Sequence, residues 1–374
     1  MTLPAEDVLD DRVELERRDP DGMLPAVASG AAQVREAVVR AAEAGVGGLA
    51  QEDLPRSVVV CGMGGSGIAG DVLAAVAGPL CPVPVLTWRS HGLPPWVGAA
   101  DLVIAVSCSG TTEETLSALD EAARRGCRLL VVAAAGSPAQ ELAARGRGLF
   151  VPVSQGRQPR ASVWSLSTPL VVAADALGLL TADHETVEAT AVLLERLASR
   201  CRPDAETVLN PGKSLALALL GRLPVVWGSS PLSGVAAYRF ACQLNENAKT
   251  PAVHGVLPEA AHNQIVSLDG PFAGGERDLF ADPDPSEGTR MHLVLLRDSE
   301  EHRQVAKRAT VSRDLARARG VEVSELQAEG GSAFERIASL VAVGDWASTY
   351  LALAQGTDPT PVEAITELKS QVLR

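Results

Sequence analysis

Short runs of apolar residues alternate with amphipathic segments through the first half of the chain. Apolar runs of about four to eight residues that end at glycine, serine or proline are typical of strands buried on both faces of a parallel sheet, with helices between them. We predict helices that start at 66, at about 112 and near 137. The predicted strands are 57–64, 83–88, 102–110, 128–134 and 149–154.

The same pattern recurs in the second half, which predicts a second unit of the same kind. Strands are predicted at 223–230, 291–297 and 321–327, and the Gly/Asp/Pro-rich segment 269–290 is expected to be a surface loop. The predicted fold class is α/β, with two doubly wound parallel-sheet domains and flanking helices at both termini. Helices are also predicted at 25–45, within 183–220, after the strand 223–230 through about 248, at 332–355 and from 361 to 373.

These elements suggest a division of the chain into five consecutive segments. The segments are an N-terminal helical segment 1–50, a first α/β domain 51–182, a linking helical segment 183–220, a second α/β domain 221–356 and a C-terminal helix 357–374. A chain of 374 residues with 46% apolar residues suits two domain cores.

Composition and charge exclude several classes of protein. The net charge of −13 argues against a nucleic-acid surface, and an anion would have to be bound by local backbone and hydroxyl donors. No apolar run approaches the roughly 18 residues of a membrane span, and the charged N-terminus has no signal core, so we expect a cytoplasmic protein. The six cysteines lack metal-ligand spacing, which predicts reduced thiols and no metal site.

A glycine-rich loop follows the first predicted strand. Gly62, Gly64 and Gly67 satisfy the G-x-G-x-x-G pattern of dinucleotide-binding sites. That pattern also expects an acidic residue at the end of the second strand, where this chain has Arg89. Because arginine suits a 2′-phosphate, an NADP-dependent oxidoreductase remains an alternative.

The end of the third strand favours a phosphate instead. Ser107, Ser109 and Thr112 lie where a strand turns into a helix N-terminus, which is a natural anion site. The alternative is that Ser109 or Thr111 only caps the helix. Two such loops at the carboxyl ends of neighbouring strands favour a phosphate site over simple capping.

Four sequence motifs resemble a known family. The segments GMGGSGIAGD and SCSGTTEET, residues 239–263 (RFACQLNENAKTPAVHGVLPEAAHN) and the pattern at 358–369 resemble the sugar-isomerase (SIS) domain, specifically the bifunctional phosphoglucose/phosphomannose isomerases. The resemblance covers nearly the whole chain, in order. It implies a homodimer that isomerises a hexose 6-phosphate near the subunit interface, without metal, cofactor, nucleic acid or membrane. The phosphate would be held by Gly64, Gly65, Ser66, Ser107, Ser109 and Thr112.

The resemblance also implies four catalytic residues. Glu246, flanked by two asparagines, would be the proton-transfer base, and Arg160 would stabilise the enediolate. His262, from the partner subunit, and Lys369 would open the sugar ring. A structural alternative exists for each residue; a lysine near a helix C-terminus, for example, is favourable without any catalytic role.

Two departures from the family bear on the preferred hexose. Residues 161–164 are Ala-Ser-Val-Trp where the family has an Ala-Leu-Gly-Tyr-like stretch, and Gln264 stands where a glutamate is common. A sugar-phosphate sensor without turnover is a further alternative, because SIS domains also serve as sensors. A sensor needs the loops but not Glu246, His262 and Lys369, so the presence of all three favours an enzyme.

Overall fold

The computed structural model describes residues 5–154, 156–274 and 289–372. By the contacts between its Cα atoms the chain divides into two compact units. One unit comprises 29–195 and 330–338 and contains the first sheet; the other comprises 1–28, 196–329 and 339–374 and contains the second sheet. The five consecutive segments predicted from the sequence stay a prediction of domain boundaries.

Helices surround both sheets. In chain order they are α1 (Ala5–Asp10), α2 (Arg12–Arg18), α3 (Met23–Ala28), α4 (Gly30–Glu43), α5 (Gly64–Ala77), α6 (Glu113–Arg124), α7 (Pro138–Arg145), α8 (Val163–Ala176), α9 (His184–Arg200), α10 (Pro211–Leu219), α11 (Pro231–Glu246), α12 (Arg303–Ala318), α13 (Ala333–Gln355) and α14 (Glu363–Val372).

The first sheet is parallel, with the strand order β2-β1-β3-β4-β5. Its central strands are continuous apolar runs because helices cover both faces: every residue of β3 is buried, as is every residue of β1. Helices α5 and α8 pack on one face, and α6 and α7 on the other. The strands are β1 (Val58–Cys61), β2 (Val85–Trp88), β3 (Leu102–Ser107), β4 (Arg128–Ala134) and β5 (Leu149–Val153).

The second sheet is also parallel, with the order β7-β6-β8-β9. Its strands are β6 (Leu223–Gly228), β7 (Val253–Val256), β8 (Met291–Arg297) and β9 (Glu322–Gln327). The two α/β units and their parallel sheets confirm the predicted fold class. In each sheet the first strand along the chain lies second in the order and pairs with the next two strands, so β6 corresponds to β1 and β8 to β3.

Several element predictions need correction. Residues 25–45 are two helices, α3 and α4, which meet at Ser29, rather than one. The edge strand β7 was not predicted. The predicted loop 269–290 lies partly outside the described residues; its first residue, Asp269, ends a 3₁₀ helix, Gln264–Asp269.

Helix α13 passes a length and hydropathy test for a membrane span, but 94% of its apolar window is buried inside the protein, as in a core helix.

The cysteines form no disulfide within the described residues, and burial raises the pKa of the Cys61 thiol to about 12. Cys61 is therefore a packed apolar group of β1 rather than a reactive thiol.

Candidate active site

The loop after β1 wraps closely around the first turn of α5. A Cβ atom at Gly62 would lie 3.0 Å from the backbone of Ser66, and one at Gly67 would lie 2.7 Å from the Gly62 carbonyl oxygen, so a side chain fits at neither position. At Gly64 the φ is +52°, and among the described residues nothing lies within 4 Å of a Cβ built there. Helix α5 therefore begins at Gly64 with backbone that has open space beside it and no side-chain cap, which suits an anion.

The end of β3 and the loop after it carry four hydroxyl groups before the first turn of α6, those of Ser107, Ser109, Thr111 and Thr112. The Ser107 hydroxyl accepts a hydrogen bond from the Gly110 amide at 3.0 Å and lies 3.0 Å from the Thr112 hydroxyl. The Ser109 hydroxyl accepts a bond from the Thr111 amide at 3.2 Å. Within the described chain, the N-cap residue Thr112 makes no capping bond through its side chain. The amides at the start of α6 therefore remain available to an external acceptor.

A hydrogen bond joins the two loops. The Ser66 hydroxyl accepts a bond from the Cys108 amide at 3.3 Å. Ser66 and Ser107 are 8% and 1% exposed, whereas Ser109 is exposed and Thr112 is half-buried. The structure thus brings all six predicted phosphate-binding residues to the carboxyl ends of β1 and β3. The buried serines shape the loops, and the more exposed hydroxyls face outward.

The segment that carries Arg160 lies beside the first loop. The Pro159 carbonyl oxygen is 4.0 Å from where a Cβ of Gly65 would stand. The fully buried amide of Gln33, on α4, donates to the Ala161 carbonyl at 2.7 Å and accepts from the Ser165 amide at 3.2 Å. Sequence reasoning missed Gln33, because its partner Ala161 is 128 residues away.

The departure at 161–164 is accommodated by packing. Ala161, Ser162, Val163 and Trp164 are all buried. The Trp164 ring packs edge-on against Phe334, with the ring centroids 6.0 Å apart. The unusual residues therefore build the core behind Arg160, and Arg160 itself is half-buried.

Arg89, the residue that kept a nucleotide alternative open, is engaged in an ion pair. Its guanidinium bonds to the carboxylate of Asp71 on α5, and the same carboxylate accepts a bond from the Thr87 hydroxyl at 2.8 Å. The Arg89 side chain also lies 2.9 Å from where a Cβ of Gly67 would stand. A guanidinium held in this way supports the loop and is already neutralised, which disfavours a 2′-phosphate ligand.

In the unit with the second sheet, Glu246 is the last residue of α11 and is half-buried. Polar side chains four residues apart fix this helix against α13. Arg239 forms a buried ion pair with Asp345 at 2.7 Å, and Gln243 donates to the same carboxylate at 3.2 Å. One turn further on, Asn247 donates to the Ser348 hydroxyl at 3.0 Å, so the end of α11 that carries Glu246 is anchored.

His262 ends a 3₁₀ helix, Glu259–His262, that follows β7, and its side chain is exposed. The neighbouring Gln264 accepts a bond from the Trp227 indole at 2.6 Å and donates to the His254 carbonyl at 3.0 Å. Gln264 thus fixes the start of the segment after His262. The departure at this position is structural in this chain.

Lys369 lies on α14, whose residues are all exposed within this unit. The structure connects the entry to this helix with the end of α11: the ammonium group of Lys249 contacts backbone carbonyls of both Glu246 and Asp358. Sequence reasoning missed this contact. His262 and Lys369 themselves are exposed side chains.

In the second sheet, the carboxyl ends of β6 and β8 correspond to the ends of β1 and β3 that carry the two loops. The carboxylate of Asp298 occupies this edge. The Ser230 hydroxyl donates to Asp298 at 2.8 Å, and the Ser229 hydroxyl accepts from the Asp298 amide at 3.0 Å. Ser230 also caps α11 through a capping box with Ser233. Of the two equivalent sheet edges, the first is therefore the one suited to an external anion.

Comparison with known proteins identifies similar chains. Residues 209–372 match the family model described as the bacterial phospho-glucose isomerase C-terminal SIS domain. A bifunctional phosphoglucose/phosphomannose isomerase from Caldicellulosiruptor bescii is 34% identical over 86% of this chain and 90% of its own length. The enzyme of the same name from Aquifex aeolicus is 31% identical over 85% of this chain and 90% of its own length.

Solved structures show the same fold. A putative phosphosugar isomerase from Clostridium difficile 630 matches with a TM-score of 0.69 and 13% identity, covering 93% of this chain and 97% of its own.

Proposed function

Since this chain belongs to the bifunctional phosphoglucose/phosphomannose isomerase family, we propose that it interconverts glucose 6-phosphate, mannose 6-phosphate or both with fructose 6-phosphate through an enediol intermediate. Membership makes it a sugar-phosphate isomerase. The choice of hexose, the mechanism and the residues are our proposal. The observation that carries it is the pair of joined loops at the carboxyl ends of β1 and β3, which lead into two helix N-termini without side-chain capping bonds among the described residues.

The two loops would hold the phosphate group. Amides of the first turns of α5 and α6 and the hydroxyls of Ser109 and Thr112 supply neutral donors and the positive ends of two helix dipoles. Neutral donors matter because the chain carries a net charge of −13, which repels a phosphate dianion at long range. Affinity for phosphate should therefore rise with ionic strength up to the point at which added anions compete for the site.

The isomerisation moves one proton between two carbons. The Glu246 carboxylate takes the proton from C2 of the open-chain aldose, and the released electron pair forms the C1–C2 double bond of an enediolate. The carbonyl oxygen O1 gains a proton, O2 gives one up, and return of the first proton to C1 yields the ketose. Glucose 6-phosphate and mannose 6-phosphate differ only at C2, so both give the same enediol, and one base serves both.

The remaining groups have supporting roles. Arg160 would stabilise the negative charge that develops on the enediolate oxygen. His262 and Lys369 would open the sugar ring, and His262 would come from the partner subunit of a homodimer. The exposure of both side chains is consistent with groups that act on a ligand or across a subunit boundary. A chain of this kind is expected to act in the cytoplasm.

A coupled assay for fructose 6-phosphate, supplied with glucose 6-phosphate or mannose 6-phosphate, tests the proposal. The Glu246→Gln variant keeps the size of the side chain but loses the base, and its rate should fall by about 10³-fold or more. Glu43→Gln is the matched control, because Glu43 is likewise the last residue of a helix. No turnover of either aldose, or a Glu246→Gln rate equal to that of the control, would reject the assignment. Tight binding of the sugar phosphate without turnover would favour a sensor.

A further inference from the structure

Lys249 holds two segments of the chain together through their backbones. Its ammonium nitrogen lies 2.9 Å from the carbonyl oxygen of Glu246 and 3.2 Å from that of Asn247, both at the C-terminus of α11. The same nitrogen lies 2.9 Å from the carbonyl oxygen of Asp358 and 3.5 Å from that of Pro359, in the turn that leads into α14. One cation thus serves the ends of two segments.

The chemistry of these contacts suits lysine. The last carbonyl groups of a helix have no partners within the helix, and a cation there meets the negative end of the helix dipole. An ammonium group has three donor protons around one atom, so it can bond to carbonyls that converge from different directions. A guanidinium is a planar fork and would not match this arrangement. Lysine is a minority choice in this chain, with four among 33 basic residues.

The backbone at this position gives a second, independent reason. Lys249 has a φ of +52°, a left-handed conformation that glycine adopts without strain and that a residue with a Cβ adopts at a cost. Glycine is the usual residue where a chain leaves a helix in this way. The presence of lysine at a position that favours glycine indicates that its side chain, rather than its backbone, is what the fold requires.

The contacts of the Lys249 ammonium group form a clamp between the end of α11 and the turn at Asp358. This turn is ordered by its own contacts. The Asp358 carboxylate accepts a hydrogen bond from the Thr360 amide at 2.9 Å. On the α11 side, the Thr250 amide donates to the Leu244 carbonyl at 3.1 Å. Lys249 therefore connects two locally rigid turns, so loss of its ammonium group should free them to move against each other.

We infer that Lys249 is a positioning residue, which holds Glu246 and the turn that leads into α14 in a fixed relation through the approach of its ammonium group to four backbone carbonyls. The catalytic part of this inference rests on the proposed function, because Glu246 and Lys369 are assigned their roles there. Lys249 itself is not proposed to touch the substrate. It acts on the geometry of the base and of the helix that carries the ring-opening lysine.

The test compares Lys249→Met with Lys307→Met, a matched control on the exposed face of α12. Loss of the clamp should lower kcat by about 10- to 100-fold while KM changes by less than about threefold, because the phosphate loops are untouched. Lys307→Met should leave both constants unchanged. Lys249→Gly is the second variant: glycine relieves the left-handed backbone, so this variant should fold even if Lys249→Met does not. Added ethylammonium supplies an ammonium group and should restore part of the rate that Lys249→Gly loses.

Hydrogen exchange gives a readout that does not depend on turnover. In Lys249→Met and Lys249→Gly, amides of residues 358–368 should exchange at least about tenfold faster than in the wild type, while those of β6 and β8 keep their rates. If the wild type has no isomerase activity, the proposed function fails, and the amide exchange rates alone then test the clamp. Unchanged exchange at 358–368, or a loss of rate that appears in KM rather than kcat, would overturn the inference.

Discussion

The hydroxyl of Ser66 accepts a hydrogen bond from the backbone amide of Cys108 at 3.3 Å, and this bond ties the loop after the first strand to the loop after the third. Neither loop alone would be a specific feature, since glycine turns and serine-rich helix starts are common. Joined at one sheet edge, they present two helix N-termini to the same space. The isomerase proposal depends on this pairing.

The first prediction concerns that bond. Ser66→Ala should raise KM for the sugar phosphate by about tenfold and change kcat little, because the loops would hold the phosphate less firmly; the loss in the free energy of unfolding should be about 1 kcal/mol. Steady-state kinetics and urea unfolding measure the two effects. Ser57→Ala is the control, since it removes a buried serine bond to Asp101 at the opposite end of β1. Equal changes of KM in both variants would contradict a special role for Ser66.

A second prediction concerns the support of Arg160. In Gln33→Glu an oxygen replaces the amide nitrogen that donates to the Ala161 carbonyl, so two acceptors would face each other and displace the Arg160 segment. We expect kcat to fall by about tenfold with a smaller change in KM, as for loss of a group that acts in the transition state. Ser29→Ala removes another partner of the same amide and should be milder. A Gln33→Glu enzyme with wild-type kcat would show that this anchor is irrelevant to catalysis.

A third prediction concerns stability at acidic pH. A hydrogen bond from Ser154 lowers the pKa of Glu36 from 4.5 to about 2, and the guanidinium groups of Arg40 and Arg157 act in the same direction against the effect of burial. Because the folded-state pKa is depressed, the stabilisation is complete above the unfolded value and is lost as the pH falls from about 4.5 to about 2.

The variant Glu36→Gln should therefore lose stability at neutral pH and show a flatter dependence of the urea midpoint on pH between about 4.5 and about 2. Chemical denaturation at a series of pH values measures this. A mutant whose pH profile runs parallel to that of the wild type would contradict the assigned pKa. The effect bears on the site because Arg157 and Ser154 flank the segment that leads to Arg160.

A fourth prediction concerns the buried ion pair between α11 and α13. The side chains of Arg239 and Asp345 are 3% and 6% exposed. Arg239→Met would leave the Asp345 carboxylate buried without its cation, which should cost about 3–5 kcal/mol of the free energy of unfolding. The double variant Arg239→Met/Asp345→Leu should recover most of the loss, since two apolar groups can replace a buried pair. Equal instability of the single and double variants would be inconsistent with this account.

The sequence predicted the sheets well because their signal is local. A strand buried on both faces is a continuous apolar run, and β8 was predicted with its observed limits, 291–297. The strand β7 was missed for the same physical reason: it has four residues at a sheet edge, and two of them, Val253 and His254, are exposed, so it has no apolar run. The single helix predicted at 25–45 is divided at Ser29, which its apolar spacing did not indicate.

The two loops of the candidate site could be placed from the sequence because the parts of each loop are contiguous, while the roles of their residues stay a prediction. The glycine loop and the serine loop each consist of a strand end, a short turn and a helix start, and each of these parts has a local signal in the sequence. The supports were missed because they depend on contacts distant along the chain: Gln33 bonds to Ala161, and Lys249 bonds to Asp358 more than 100 residues away. The bond that places Asp298 at the edge of the second sheet was missed for the same reason, since the partner of Asp298, Ser230, is 68 residues away.

In the proposed reaction, the Glu246 carboxylate moves a proton between two carbons of a bound hexose phosphate. Nuclear magnetic resonance of glucose 6-phosphate incubated with the enzyme in D₂O tests this most directly, because a proton held by a carboxylate exchanges in part with solvent. We predict that wild-type enzyme and Glu43→Gln form fructose 6-phosphate that carries deuterium at C1, and that Glu246→Gln forms none. Product formed by Glu246→Gln at the wild-type rate, or no product and no deuterium with the wild type, would contradict the account.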